Sequence, residues 1–151
     1  MAFGALGDVL LDIAFTMGAA SFALGHILAI VLYRRNVRPN LAASQRALGV
    51  LLAVATPVIA WLLTHAADVT GYALLLGLMA GSAWTSRFSR YRTGIGAVMF
   101  VASDLLIFAE MGPLAGAAFI GVAIWALYFA GQFLITLGVA QGLGERRRSL
   151  Y

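Results

Sequence analysis

Long apolar runs separated by short polar breaks organise this chain, and runs of that length predict helices that cross a lipid bilayer, which takes about 17 to 25 residues per crossing. Six such segments are read: Met1 to about Phe15, Met17–Tyr33, Ala47–Thr64, a fourth with its core at Tyr72–Trp84, Gly94–Glu110, and Leu114 to about Gln141. The breaks are polar or turn-forming: Arg34, Arg35, Asn36 and Pro39; His65 and Asp68; the run Ser86–Arg92; Met111, Gly112 and Pro113; and Arg146, Arg147 and Arg148 at the end. Pro57 lacks the backbone donor a helix interior needs, so a kink is expected in the third segment. Gly77 and Gly81 lie four apart on the fourth and predict a face on which another helix comes close. The first segment is short for a crossing. It is expected to be partly interfacial or to be covered by upstream helices or by another subunit, self-association into a homo-oligomer being one way to complete the bundle. Its acids and the lack of a basic flank argue against a signal peptide.

Composition agrees with the pattern. The chain is 62% hydrophobic and 11% charged, with a mean hydropathy of +0.94, and its 17 glycines are spread along it. The predicted fold is an all-α polytopic transmembrane bundle of about six helices, residues 1–151 forming a single domain. All ten basic residues are arginines, and they follow the second, fourth and sixth segments while the other connections hold none. By the positive-inside rule this alternation predicts a multi-pass protein of the cell (inner) membrane with both termini cytoplasmic. The basic residues thus mark topology, and no nucleic-acid partner is expected. Cysteine is absent, which excludes disulfides, thiolate metal sites and cysteine nucleophiles.

Against this apolar background, the intramembrane polar groups are Asp8, His26, Ser103, Asp104, Tyr128 and Gln132. A carboxylate near the middle of a spanning helix costs about 2.5 to 3.5 kcal/mol on insertion scales, so Asp104 reads as a functional residue before it reads as helix glue. Asp8 and Asp104 each fall roughly 7 residues, or about 10 Å, from the external end of their segments and can meet at one depth. Two carboxylates in an apolar pocket tend to divide into a protonated acid and an ionised partner, which suits cleavage of an ether-type bond. His26 can orient an acid, shuttle a proton or satisfy a helix contact, and Tyr128 and Gln132 suit either substrate hydrogen bonding or interhelical contacts. Ser103 lacks the surroundings of a serine hydrolase nucleophile, and no spacing of His, Asp and Glu suits a metal; neither metal nor cofactor is expected.

The motifs G-D-V-L-L at Gly7–Leu11, F-A-L-G-H at Phe22–His26, G-A-V-M-F-V-A-S-D-L-L at Gly96–Leu106 and Y-F-A-G-Q at Tyr128–Gln132 follow one another in an order and spacing that resemble the lysoplasmalogenase (YhhN-like) family of polytopic membrane proteins. The resemblance covers nearly the whole chain. It implies hydrolysis of the vinyl-ether bond of lysoplasmalogens to a fatty aldehyde and a glycerophospho-base, with membrane lipids as surroundings and a lysophospholipid as substrate. It further implies that Asp8 and Asp104 match the family's two acids. From their positions, His26, Ser103, Tyr128 and Gln132 are expected to bind substrate or support those acids. Members typically have about eight helices, so this chain is expected to begin at what would be the third. Two other functions remain open on the same residues: a small transporter or lipid-binding membrane protein that uses the acids as proton or cation sites, and a structural subunit.

Overall fold

The computed structural model describes residues 15–148; the first apolar segment, with Asp8 and Asp12, lies outside them. The described residues form five helices: α1 (Phe15–Arg34), α2 (Ala43–Thr64), α3 (Ala67–Thr85), α4 (Ile95–Glu110) and α5 (Ile120–Arg148), with a π-helical turn, Arg90–Gly94, leading into α4. They contain no strand, only an isolated antiparallel bridge between Val37 and Ser86. Among the described residues three stretches, Ala43–Thr64, Arg90–Glu110 and Ile120–Arg146, are long and apolar enough to cross a membrane, and Ala20–Arg34 is a shorter apolar helix. Many large apolar side chains point outward: Val50, Leu62, Val122 and Phe133 are each more than 60% exposed. Such a surface suits lipid rather than water. The described residues are all-helical in their regular structure, and their apolar helices are those of a membrane protein.

Each apolar run predicts a helix because lipid offers no partner for a free backbone group, and the ends fall where the turn chemistry allows. At the end of α2, His65 takes the left-handed conformation (φ 50°) and its N–H donates to the Trp61 carbonyl at 2.8 Å, so that α3 begins two residues later and returns antiparallel. Asp68, read from the sequence as part of the turn, sits instead in the first turn of α3, where a carboxylate faces the positive end of the helix. The helix expected from Leu114 begins only at Ile120, because Gly112, Pro113 and Gly116, with φ of 80°, hold residues 111–119 in successive turns. It also runs on through the arginines to Arg148 rather than stopping near Gln141.

Helix α3 is central, packed against α2 on one side and against α1 and α4 on others, while α4 and α5 pair along their length. The α2–α3 seam is made by small residues. A side chain on Gly81 would run into the Gly49 carbonyl oxygen, and one on Gly77 would lie 2.8 Å from the Leu52 carbonyl oxygen. The face predicted from Gly77 and Gly81 is therefore the contact with α2. Gly96 and Gly131 do the same for α4 and α5, each backbone lying where the other's side chain would be.

The connections after α1 and α3 are bound to each other at one end of the bundle. Arg38 N–H donates to the Thr85 carbonyl at 3.1 Å, Arg87 N–H to the Asn36 carbonyl at 2.7 Å, and the Arg38 guanidinium to the Phe88 carbonyl at 3.2 Å. Beneath them Tyr33 and Phe88, each 1% exposed, meet edge to face. Phe88 in turn fills the space beside Gly142 of α5, so all three arginine groups gather at the same end. The crowding is electrostatic as well: burial, and then the nearby Arg90 guanidinium, lower the Arg38 pKa from the usual arginine range. Asp68 and Glu110 belong to the other end, where Gly112 packs on the Leu63 carbonyl.

Candidate functional site

Asp104 is 6% exposed and sits on α4 six residues before its end, about 9 Å in at 1.5 Å per residue. Its burial follows from the tight α4–α5 contact at Gly96 and Gly131 and from the apolar residues that share its helix face, Phe100, Val101 and Phe108. A carboxyl so placed must be hydrogen-bonded, and its partner comes from another helix: the Tyr72 hydroxyl of α3 donates to Oδ2 at 2.8 Å. On the other side of that hydroxyl, His26 Nε2 of α1 lies 3.1 Å from the Tyr72 hydroxyl oxygen. Three helices thus supply one continuous chain, His26–Tyr72–Asp104.

Aromatic rings wall this chain. His26 meets the Phe100 ring edge to face at 5.5 Å between centroids, and Tyr72 meets Phe108 at 6.2 Å. Phe100 also lies against Tyr128 at 5.4 Å and Phe22 at 6.3 Å, and Phe22 closes the triangle with Tyr128 at 6.2 Å. The wall keeps the dielectric low, so each hydrogen bond in the chain is stronger than it would be in water, and an unpaired group would cost more.

The sequence-derived candidates divide accordingly. His26 and Asp104 are joined through Tyr72, and Tyr128 is buried across the Phe100 ring from them. Gln132 is half-buried one turn further along α5. Ser103, fully buried beside Asp104, donates to the Ile124 carbonyl of α5 at 3.0 Å, an interhelical bond between α4 and α5. Asp8 lies outside the described residues. Tyr72 was not among the candidates, having served in the sequence only to mark the start of an apolar core. A usable signal existed: five residues into α3 it sits about 8 Å from the end of the helix, close to the depth of Asp104.

No group of three or more metal-ligating side chains converges among the described residues. What the chain can do is hold and redistribute protons, since a carboxyl, a phenol and an imidazole in sequence each donate or accept according to where the proton sits.

The YhhN family model matches residues 1–139, a span that includes His26, Tyr72, Asp104, Tyr128 and Gln132. The chain belongs to the YhhN family. Two proteins named lysoplasmalogenase, from Mycobacterium bovis and Mycobacterium tuberculosis, are each 31% identical to this YhhN chain over 148 residues, covering 89% of it and 56% of their own length. The YhhN chain therefore spans little more than half of these relatives. No solved structure matches it.

Proposed function

We propose that this protein is an intramembrane hydrolase that cleaves the vinyl-ether bond of lysoplasmalogen-like lysophospholipids, giving a fatty aldehyde and a glycerophospho-base. The observation that carries the reading is a carboxyl group, Asp104, buried in the bundle and hydrogen-bonded to Tyr72 within a chain of the YhhN family. Its likeness to proteins named lysoplasmalogenase supports the choice of substrate class.

Vinyl ethers are cleaved by protonation at carbon, and the chemistry asks for a carboxylic acid shielded from water. Asp104 in its acid form delivers a proton to the vinyl-ether carbon remote from oxygen, and the double-bond electrons form the new C–H bond. The resulting oxocarbenium-like cation is stabilised by an ionised carboxylate, the role assigned to Asp8. Water adds to the cationic carbon and loses a proton, and the hemiacetal collapses to aldehyde and the free glycerophospholipid alcohol. The logic is that of two-carboxylate glycoside cleavage. Tyr128 and Gln132 are assigned to the substrate's polar groups, and Ser103 to supporting the acid's helix.

The proposed setting is the cell membrane, crossed six times with both termini cytoplasmic. The gathering of all three arginine groups at one end supports that orientation. Labelling of single cysteines checks it: a probe at position 90 is expected to react from the cytoplasmic side and one at position 68 from outside, and the reverse pattern overturns the topology.

The activity test uses the full chain purified into nanodiscs and supplied with lysoplasmalogen, with aldehyde release as the readout. Asp8→Asn and Asp104→Asn should each fold and lose about 100-fold or more in rate. Near-normal turnover in both variants, with the fold intact, rules the mechanism out. The His26–Tyr72–Asp104 chain would also suit a proton-coupled transporter, which predicts no aldehyde release from any form of the protein.

A further inference from the structure

We infer that His26 acts on Asp104 through Tyr72, the three side chains forming one proton-sharing unit in which the tyrosine hydroxyl passes a proton between the carboxyl group and the imidazole. The inference rests on the hydrolase reading for its use in catalysis, while the coupling itself is a property of the site.

Tyr72 carries a single hydroxyl proton yet stands within hydrogen-bond distance of two titratable groups, 2.8 Å from Asp104 Oδ2 and 3.1 Å from His26 Nε2. It can donate to only one of them while its oxygen accepts from the other. Among the arrangements with the same number of protons, two differ by proton transfer along the chain. In one, the Asp104 carboxylic acid donates to the Tyr72 oxygen and the Tyr72 hydroxyl donates to an unprotonated Nε2. In the other, Nε2–H of an imidazolium donates to the Tyr72 oxygen and the hydroxyl donates to the Asp104 carboxylate. Conversion moves one proton from carboxyl to phenol oxygen and another from phenol to imidazole, leaving no net charge change in the unit.

This gives the acid something a lone buried carboxyl lacks. In the first arrangement Asp104 holds the proton that substrate needs. Once that proton has gone to carbon, the Tyr72 hydroxyl turns to the new carboxylate and stabilises it. The water that adds to the cation returns one proton to the unit, so it ends the turnover as it began and needs no further reactant. Tyr72 and His26 are therefore positioning residues, and Asp104 is the group that meets the substrate. The phenylalanines that meet the chain directly, Phe100 on His26 and Phe108 on Tyr72, neither donate nor accept a proton.

Tyr72→Phe tests the link while keeping the ring that packs on Phe108 and His26. Turnover of lysoplasmalogen is expected to fall about 10- to 100-fold in kcat with KM little changed. His26→Phe should give a comparable loss, and the double variant should lose no more than Tyr72→Phe alone, because the histidine acts only through the hydroxyl. Losses that multiply, as independent structural contributions would, overturn the inference. A second readout does not depend on the reaction: the infrared carbonyl stretch of protonated Asp104, assigned by its disappearance in Asp104→Asn, should shift alike in Tyr72→Phe and His26→Phe. If neither moves the band, the three groups are not coupled. Should Tyr72→Phe fail to fold, fluorotyrosine at position 72 changes the acidity of the phenol while keeping its shape, and an unmoved Asp104 band again overturns the coupling. Wild-type protein that releases no aldehyde defeats the hydrolase reading, whereas the infrared band still decides the coupling.

Discussion

Helix α3 carries two contrasting surfaces. Towards α2 it presents Gly77 and Gly81, where the backbones come so close that a β-carbon has no room; towards α1 and α4 it presents Tyr72, whose hydroxyl is held between two titratable groups. The first surface works by leaving side chains out. In lipid there is no hydrophobic drive to press helices together, so close backbone approach and dispersion supply the attraction. The second surface works by polar groups that satisfy one another. It contributes a site at the cost of burying a carboxyl, a phenol and an imidazole in an apolar wall. Stability and chemistry are thereby assigned to different faces of one helix, and substitutions on the two should fail in different ways.

The largest effect is expected on the glycine face. Gly81→Leu drives a branched side chain into the Gly49 carbonyl and neighbouring backbone, which cannot yield as a flexible side chain would. Overpacking usually costs about 1 to 3 kcal/mol, and a backbone clash belongs at or above the top of that range. Unfolding in mixed micelles should show the loss, with activity falling only in step with the folded fraction. A variant that remained fully folded but inactive would break the contrast between the two faces.

Next in size is Asp104→Asn, which should behave in the opposite way. The proposed loss of about 100-fold in aldehyde release corresponds to about 2.7 kcal/mol in the barrier. Unfolding free energy should be unchanged or slightly higher, since an amide is easier to bury than a carboxyl group that must be kept hydrogen-bonded. A parallel fall in stability and rate would mean that Asp104 holds helices together rather than serving chemistry.

How much of this arrangement could be read beforehand depended on whether the signal was local. Apolar length alone located the described helices, because membrane-spanning backbone must be helical whatever its neighbours do. The start of α5 was misplaced because Leu114 to Phe119 reads as helix-compatible apolar text, and only the left-handed Gly116 with the preceding Gly112 and Pro113 turns it into a loop. The π-helical turn at Arg90–Gly94 had no local signature either, lying where Gly94 meets the Trp84 ring and Thr93 meets Gly138. Asp104 and His26 stood out because ionisable residues are rare in apolar segments. Tyr72 did not, because tyrosine is common near membrane interfaces and its relation to Asp104, 32 residues away, exists only once α3 and α4 are packed.

The smallest effect sharpens the boundary between the two roles. Ser103 adjoins Asp104 in sequence, is fully buried, and looks from its letters like part of the chemistry. Its hydroxyl donates to the Ile124 carbonyl of α5, so it belongs with the packing contacts that join α4 to α5. Interhelical hydrogen bonds of this kind in membrane proteins average about 0.6 kcal/mol, because the separated helices also find partners for their polar groups. Ser103→Ala should therefore lower the unfolding free energy by about that amount, and the carbonyl it leaves is still bonded within its own helix. Aldehyde release should stay within about threefold of wild type, because a shift of less than 1 kcal/mol corresponds to less than a factor of ten in rate. A loss as deep as that of Asp104→Asn would move Ser103 from the packing between α4 and α5 to the reacting groups.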